Sequence, residues 1–210
     1  MLKLFYSPGA CSLASHIALE EVGAEFEAVL TSTRGGAQRR PEFLALNPKG
    51  KVPALLTDRG VLSENPAILG WIAQTWLGAG LAPADDPYAF AEMQAFNMFL
   101  SATVHIAFNH WFKPEAWTGD PAGVPGVKAR AGELIAKHFS LIEERLADGR
   151  EWVHGQHSTS DGYLLVFSRW LTGMGAGEIA DYPNILAHRT RTQERPAVRR
   201  ALEREGLQPV

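Results

Sequence analysis

The sequence predicts a two-part chain: an α/β first part built on a mixed four-stranded sheet, then an all-helical second part. Three observations predict it. Strand and helix patterns follow one another as β-α-β and then β-β-α over the first part. A stretch rich in Gly, Ala, Pro and Asp, from Gly78 to Pro87, then interrupts the apolar patterning. Beyond it the apolar periods are helical and no convincing strand appears. The expected boundaries are 1–78 for the first domain, 79–86 for a linker and 87–210 for the helical domain.

Leu2 to Tyr6 reads as a buried strand. Ser12 to Val22 reads as a helix, with Leu13, Ile17, Leu19 and Val22 on its apolar side and Gly23 as its stop. Phe26 to Leu30 reads as the second strand. A polar loop with Arg34, Gly35 and Gly36 precedes one or two helical turns, Pro41 to Leu46. Val52 to Leu56 and Val61-Leu62 flank Asp58-Arg59-Gly60, a hairpin signal. Asn65-Pro66 carries the chemistry of an N-cap followed by a first-turn proline, and Ile68, Leu69, Ile72, Ala73 and Trp76 line the helix that follows. One strand–helix–strand unit makes parallel neighbours, and the hairpin adds antiparallel ones. Such a sheet with helices on both faces resembles the thioredoxin-like fold. In the second part a long helix is expected from about Tyr88 to Phe112, a second from Val127 to Leu146, and a third opened by Ser158-Thr159-Ser160-Asp161 as a capping box. Two short helices, Ile185 to Gln193 and Ala197 to Glu205, complete the chain.

Composition bounds the partners. Hydrophobic residues make up 46% of 210, charged residues 20%, and the formal net charge is −3. Nothing in that balance calls for nucleic acid or an anionic membrane. No apolar stretch is long enough to span a bilayer. The amino terminus lacks a secretory pattern, since Leu2 to Tyr6 is too short an apolar core. A single cysteine excludes an internal disulfide, and the expected compartment is the cytoplasm.

That cysteine, Cys11, sits where the first strand turns into the first helix. Unpaired N–H groups and the helix dipole favour negative charge at such a point, so a thiol there tends to ionise. The alternative is a small buried hydrophobe in a turn. His16 lies five residues on, roughly 140° around a helix at about 100° per residue, and is not paired with it. His154 and His157 share a loop without a third ligand, so no metal is expected.

Five segments, in order, carry a resemblance to glutathione S-transferases. Tyr6-Ser7-Pro8-Gly9-Ala10-Cys11-Ser12 resembles the cysteine motif of their bacterial beta class. Asn47-Pro48-Lys49-Gly50-Lys51-Val52-Pro53-Ala54-Leu55 resembles the glutathione-binding loop, and Glu64 before a helix start resembles the acidic γ-glutamyl site. Ser158 to Asp161 and Arg195-Pro196-Ala197-Val198 resemble the helix cap and terminal helix of the second domain. The resemblance covers nearly the whole chain.

It implies that Pro53 follows a cis bond, leaving the Val52 N–H and C=O to pair with glutathione as an added strand. It implies that Glu64 takes the γ-glutamyl amino group, while the helix start at Asn65 takes the carboxylate. Asn65 stands where the family usually has Ser, Thr or Gly, which leaves its side-chain contact open. Lys51 would pair with a carboxylate of the peptide, and Arg34 stands where the beta class often has a basic residue near glutathione; the alternative for each is a solvated charge. His105 shares a heptad-spaced face with Met98, Ser101, Phe108 and Phe112. The resemblance makes it a partner of Cys11 that donates to the thiolate or moves a proton; the alternative is a core histidine. Phe108, Phe112 and Trp170 read either as core or as a pocket for an apolar electrophile.

The implied activity is transfer of glutathione to small apolar electrophiles, with glutathione as co-substrate and no further cofactor. Two alternatives stand beside it. One is a monothiol thiol-disulfide transferase using a mixed disulfide at Cys11, since Cys11-Ser12-Leu13-Ala14 lacks a second cysteine. The other is a glutathione-binding protein without catalysis. The family layout further implies a homodimer.

Overall fold

The computed structural model describes residues 1–210. Alternation along β1 (Leu2–Tyr6) sends Leu4 and Tyr6 to one face of the sheet and Phe5 to the other. Through the crossover helix α1 (Leu13–Glu21), β1 pairs parallel with β2 (Phe26–Leu30), Leu2 opposite Phe26 and Tyr6 opposite Leu30. After the short helix α2 (Pro41–Leu46), β3 (Ala54–Thr57) returns antiparallel to β1, and β4 (Gly60–Ser63) closes the hairpin. The strand order is β2-β1-β3-β4. Phe43 of α2 covers one face, edge-on to Phe5 with ring centres 5.7 Å apart. α1 and α3 (Asn65–Thr75) cover the other, with Leu13, Ile17, Leu69 and Ile72 buried against Leu4 and Leu55. The mixed four-stranded thioredoxin-like sheet is therefore as the sequence predicts.

One expected detail differs. Asn65 does not cap α3: Glu64 precedes the helix in a left-handed conformation, φ 71°, and Asn65 is already helical. The bend out of β4 is made at Glu64, so the Asn65 side chain swings under the helix toward α1.

The helical part begins at α4 (Pro87–Phe99), where the Asp86 carboxylate accepts from the N–H groups of Tyr88 and Ala89. The expected long helix is present but not uniform. A π-helical segment, Leu100–Val104, separates α4 from α5 (His105–Phe112). Its wider turn shifts the side-chain register, so the expected single face breaks up. Met98 is 50% exposed, whereas Phe108 is fully buried. α6 (Val124–Leu146) starts three residues before the expected Val127, with Pro125 in the first turn, where a missing N–H costs nothing. α7 (Thr159–Gly173) opens with the predicted capping box; the Ser158 N–H donates to Asp161 Oδ2 at 2.7 Å. α8 (Pro183–Glu194) and α9 (Pro196–Arg204) finish the chain.

One continuous apolar cluster runs from Leu4 and Ile17 to Phe108, Phe167 and Val198, so the two parts share a core. α1 is gripped from the helical side by ion pairs and by close packing. Arg195 holds Glu21 with two hydrogen bonds, 2.6 and 2.9 Å. Gly162 lets α7 close in, since a Cβ there would lie 3.0 Å from Ile17 Cγ2. No helix is long and apolar enough to cross a membrane.

Candidate functional site

The loop between β1 and α1 is fixed residue by residue. Ser7 N–H donates to Ser12 Oγ at 3.1 Å, and Ser12 Oγ donates back to Ser7 C=O at 3.3 Å. Gly9 adopts φ 67°, a conformation that suits glycine. Its N–H donates to Glu205 Oε2 at 2.9 Å and its C=O accepts from Trp170 Nε1 at 2.8 Å. Both partners come from the helical part. Glu205 is itself held by His16 Nδ1 at 2.9 Å, which explains why His16 points away from Cys11.

Cys11 is thereby presented two residues before α1, half-buried, with its thiol donating to the Val52 C=O at 3.4 Å. Its own C=O accepts from Asn65 Nδ2 at 2.8 Å, and Asn65 Oδ1 accepts from Ser15 Oγ at 2.6 Å. The Asn65 side chain is spent on internal bonds and is 4% exposed, so it does not face a ligand. The Val52–Pro53 peptide is cis. The Val52 carbonyl, expected to be open, receives the Cys11 thiol.

The electrostatics of the thiol invert the expectation drawn from its position. Burial pushes the Cys11 thiol up to about 12, and the Glu64 carboxylate adds to the rise. The N–H groups of Cys11 and Ser12 and the charge of Lys51 oppose it and lose. The helix-start effect is real here but smaller than desolvation. Cys11 is a protonated thiol at neutral pH, consistent with its donating to Val52.

His105 opens α5, half-buried, with its ring 5.2 Å from Trp170 and 5.8 Å from Phe167. Burial pushes it down to about 4; Lys51 lowers it further and Glu64 opposes. It is neutral at pH 7. Lys51 and Glu64 thus act electrostatically on both Cys11 and His105. Lys51 is exposed, and Glu64 forms an exposed ion pair with Lys49 at 2.7 Å.

The aromatic residues divide. Phe112 is partly exposed and Trp170 is 8% exposed; their rings lie 5.3 Å apart. Phe108 is fully buried, stacked on Phe167 with centres 6.1 Å apart, and belongs to the core rather than to a substrate wall. Arg34 is exposed and enters none of the site's hydrogen bonds, although its neighbour Thr33 is tied to Ser7 Oγ at 3.2 Å. His154 contacts Ser160 and Arg145, and His157 packs on Trp152. No cluster of three metal-ligating side chains forms.

Sequence reasoning missed three contributors: Glu205, the hydrogen bond of Trp170, and Tyr163. Tyr163 is 1% exposed on α7, and burial with the neighbouring Cys11 pushes its phenol upward. Its only local signal is its place two residues after the Asp161 cap.

Comparison with known proteins gives a consistent result. Residues 1–74 match the family model "Glutathione S-transferase, N-terminal domain". The chain is 34% identical over 210 residues to glutathione S-transferase GstA of Escherichia coli O157:H7, covering 98% of this chain and 100% of that protein. It is similar to a glutathione transferase homologue from Sulfitobacter solved with bound glutathione, at TM-score 0.90 and 32% identity over 99% of each chain. It is also similar to the bacterial beta class glutathione S-transferase of Sphingomonas chungbukensis, at TM-score 0.86 and 38% identity over 98% of this chain and 100% of that one.

Proposed function

The chain belongs to the glutathione S-transferase family, and on that premise we propose that it joins glutathione to small apolar electrophiles with Cys11 and His105 at the reacting sulfur. The observation that carries this is a protonated Cys11 thiol bonded to the Val52 carbonyl, in the field of the same Lys51 and Glu64 that act on a neutral His105.

Glutathione lies along the Val52-Pro53 edge as an added strand, its cysteinyl N–H bonding the Val52 C=O. That bond displaces the Cys11 thiol, which turns its S–H to the glutathione sulfur. The γ-glutamyl ammonium meets Glu64, in exchange for Lys49, and the α-carboxylate meets the backbone N–H groups at the start of α3, including that of Asn65. Lys51 pairs with a peptide carboxylate and supplies the standing positive charge; Arg34 lies farther out as a second cation for the peptide. The glutathione thiol passes its proton to neutral His105 or solvent. Its thiolate, held by the Cys11 S–H, attacks the electrophile lying against Phe112 and Trp170, and the leaving group departs with the bonding pair. In this scheme residues 1–78 hold glutathione, residues 79–86 link the parts, and residues 87–210 hold the electrophile. The protein acts as a homodimer in the cytoplasm, with glutathione as co-substrate and no further cofactor.

The test is turnover of a generic aryl halide with glutathione. Tight glutathione binding without turnover refutes the assignment for that substrate class. If Cys11→Ala abolishes conjugation, Cys11 serves the reacting sulfur; if it removes only disulfide reduction, the mixed-disulfide reading replaces it. A monomer mass in light scattering refutes the dimer.

A further inference from the structure

We infer that the cavity between the linker and the helical part binds a small zwitterion, an amino acid or short peptide, with its carboxylate on Arg145 and its ammonium on Glu92. The cavity shares no residue with the thiol site and stands apart from the transferase assignment. Its volume is about 570 Å³, within the roughly 300–1,000 Å³ of small-ligand pockets. Gly80 and Pro83 come to it from the linker, Glu92 from α4 and Arg145 from the end of α6. Arg150 and His154 come from the loop before α7. Few apolar side chains line it, which suits a charged ligand with a hydrophilic body.

Three groups fix the Arg145 guanidinium, and none is a carboxylate. Its Nε donates to the Val153 C=O at 3.3 Å and its Nη2 to His154 Nδ1 at 3.3 Å. Its centre lies 5.4 Å from the middle of the Phe96 ring. A guanidinium can only donate, so His154 accepts through Nδ1 and carries its proton on Nε2. Nε2 donates to Ser160 Oγ at 3.1 Å, and Ser160 Oγ donates to Asn97 Oδ1 at 2.9 Å. Ser160 and Asn97 are fully buried, so this chain of bonds is anchored in the core. Burial and the Arg145 charge push His154 down to about 4. A neutral imidazole therefore orients the cation without cancelling it.

The second guanidinium is placed differently. Arg150 Nη1 donates to the same Val153 C=O at 3.1 Å, and Arg150 Nε donates to Asp148 Oδ1 at 2.9 Å. Asp148 thus neutralises Arg150. The two charges left at the cavity are Arg145 and Glu92, which act on each other through space and form no ion pair. A simple anion would be repelled by Glu92, and a simple cation by Arg145. A molecule carrying both charges answers both groups.

Isothermal titration calorimetry of the intact protein at neutral pH, without glutathione, tests this. The probes are glycine, γ-aminobutyrate and ε-aminocaproate, which space the two charges differently, with acetate as the single-charge control. We expect one saturable site per chain for at least one of the three. Its affinity should exceed that of acetate about ten-fold, the factor for one further charge-assisted hydrogen bond. Arg145→Gln should weaken it about ten-fold for the same reason. Glu92→Gln should weaken the zwitterion yet tighten acetate, opposite movements that damage to the fold does not produce. No saturable binding up to about 10 mM overturns the proposal. So does binding no tighter than that of acetate, or binding unchanged in Arg145→Gln. Loss of binding in Lys51→Gln would put the ligand at the thiol site and overturns it as well. If Arg145→Gln does not fold, the two movements in Glu92→Gln decide. Turnover is not measured, so failure of the transferase assignment and failure of this proposal are separate results.

Discussion

Cys11 should be an unusually unreactive thiol in the ligand-free protein. Its proton is held to about 12 against an ordinary 9.0, a difference of three units. At any pH below 9 this leaves about a thousandth of the thiolate that an ordinary cysteine carries. The rarer thiolate is more nucleophilic by about half a logarithmic unit per pKa unit, which returns roughly thirty-fold. The net expectation is alkylation some thirty- to fifty-fold slower than a free thiol of pKa 9, before any steric shielding. The rate should climb ten-fold per pH unit from 7 to 10 without reaching a plateau. Glu64 is the second cause of the rise after burial, so Glu64→Gln should accelerate alkylation and bring the profile to lower pH. Iodoacetamide labelling across that range reads both. A plateau with a midpoint below 8, or a Glu64→Gln profile superposable on the parent, would refute the reasoning and restore the ionised thiol expected at a helix start.

Three further outcomes follow from the same geometry. His105→Ala should lower kcat for conjugation about 100-fold if the imidazole moves a proton; a change under two-fold excludes that role. The folded His105 sits at about 4, below its ordinary 6.5, so its neutral form favours the fold. That contribution is complete above pH 6.5 and disappears as pH falls toward 4, and urea midpoints should decline over that window less steeply in His105→Ala than in the parent, where His154, also pushed down to about 4, accounts for part of the decline. Asp161→Ala strips acceptors from the N–H groups of Val153 and Ser158 and from His188 in a fully buried setting, and should cost about 3–5 kcal/mol in urea unfolding; a loss below 1 would mean that the cap is redundant.

Much of the architecture was legible because it is local. The β4 hairpin is written in Asp58-Arg59-Gly60, and the start of α7 in a four-residue box. The π-helical turn was not legible, since nothing in Leu100 to Val104 marks a wider coil, and of the two readings open for Phe108 the structure shows the core. Asn65 looked like a cap because its residue type and Pro66 fit one; the left-handed backbone at Glu64 decided otherwise. The acidity of Cys11 was misjudged because dipole effects can be read from neighbours, while desolvation depends on packing by the whole chain. The partners of Gly9 are 161 and 196 residues away, beyond any pattern of spacing.

Those two anchors of Gly9 bear on how the chain can be recombined. The peptide that leads into Cys11 has its donor and its acceptor satisfied by side chains encoded in the last fifth of the sequence. A fragment ending at the linker would leave both groups to solvent and release the glycine to its many alternative conformations. Exchange of the helical half between relatives therefore also alters the thiol loop unless the incoming half keeps Trp170 and Glu205. Cys11 is encoded by one half of the chain and has its loop held in place by the other.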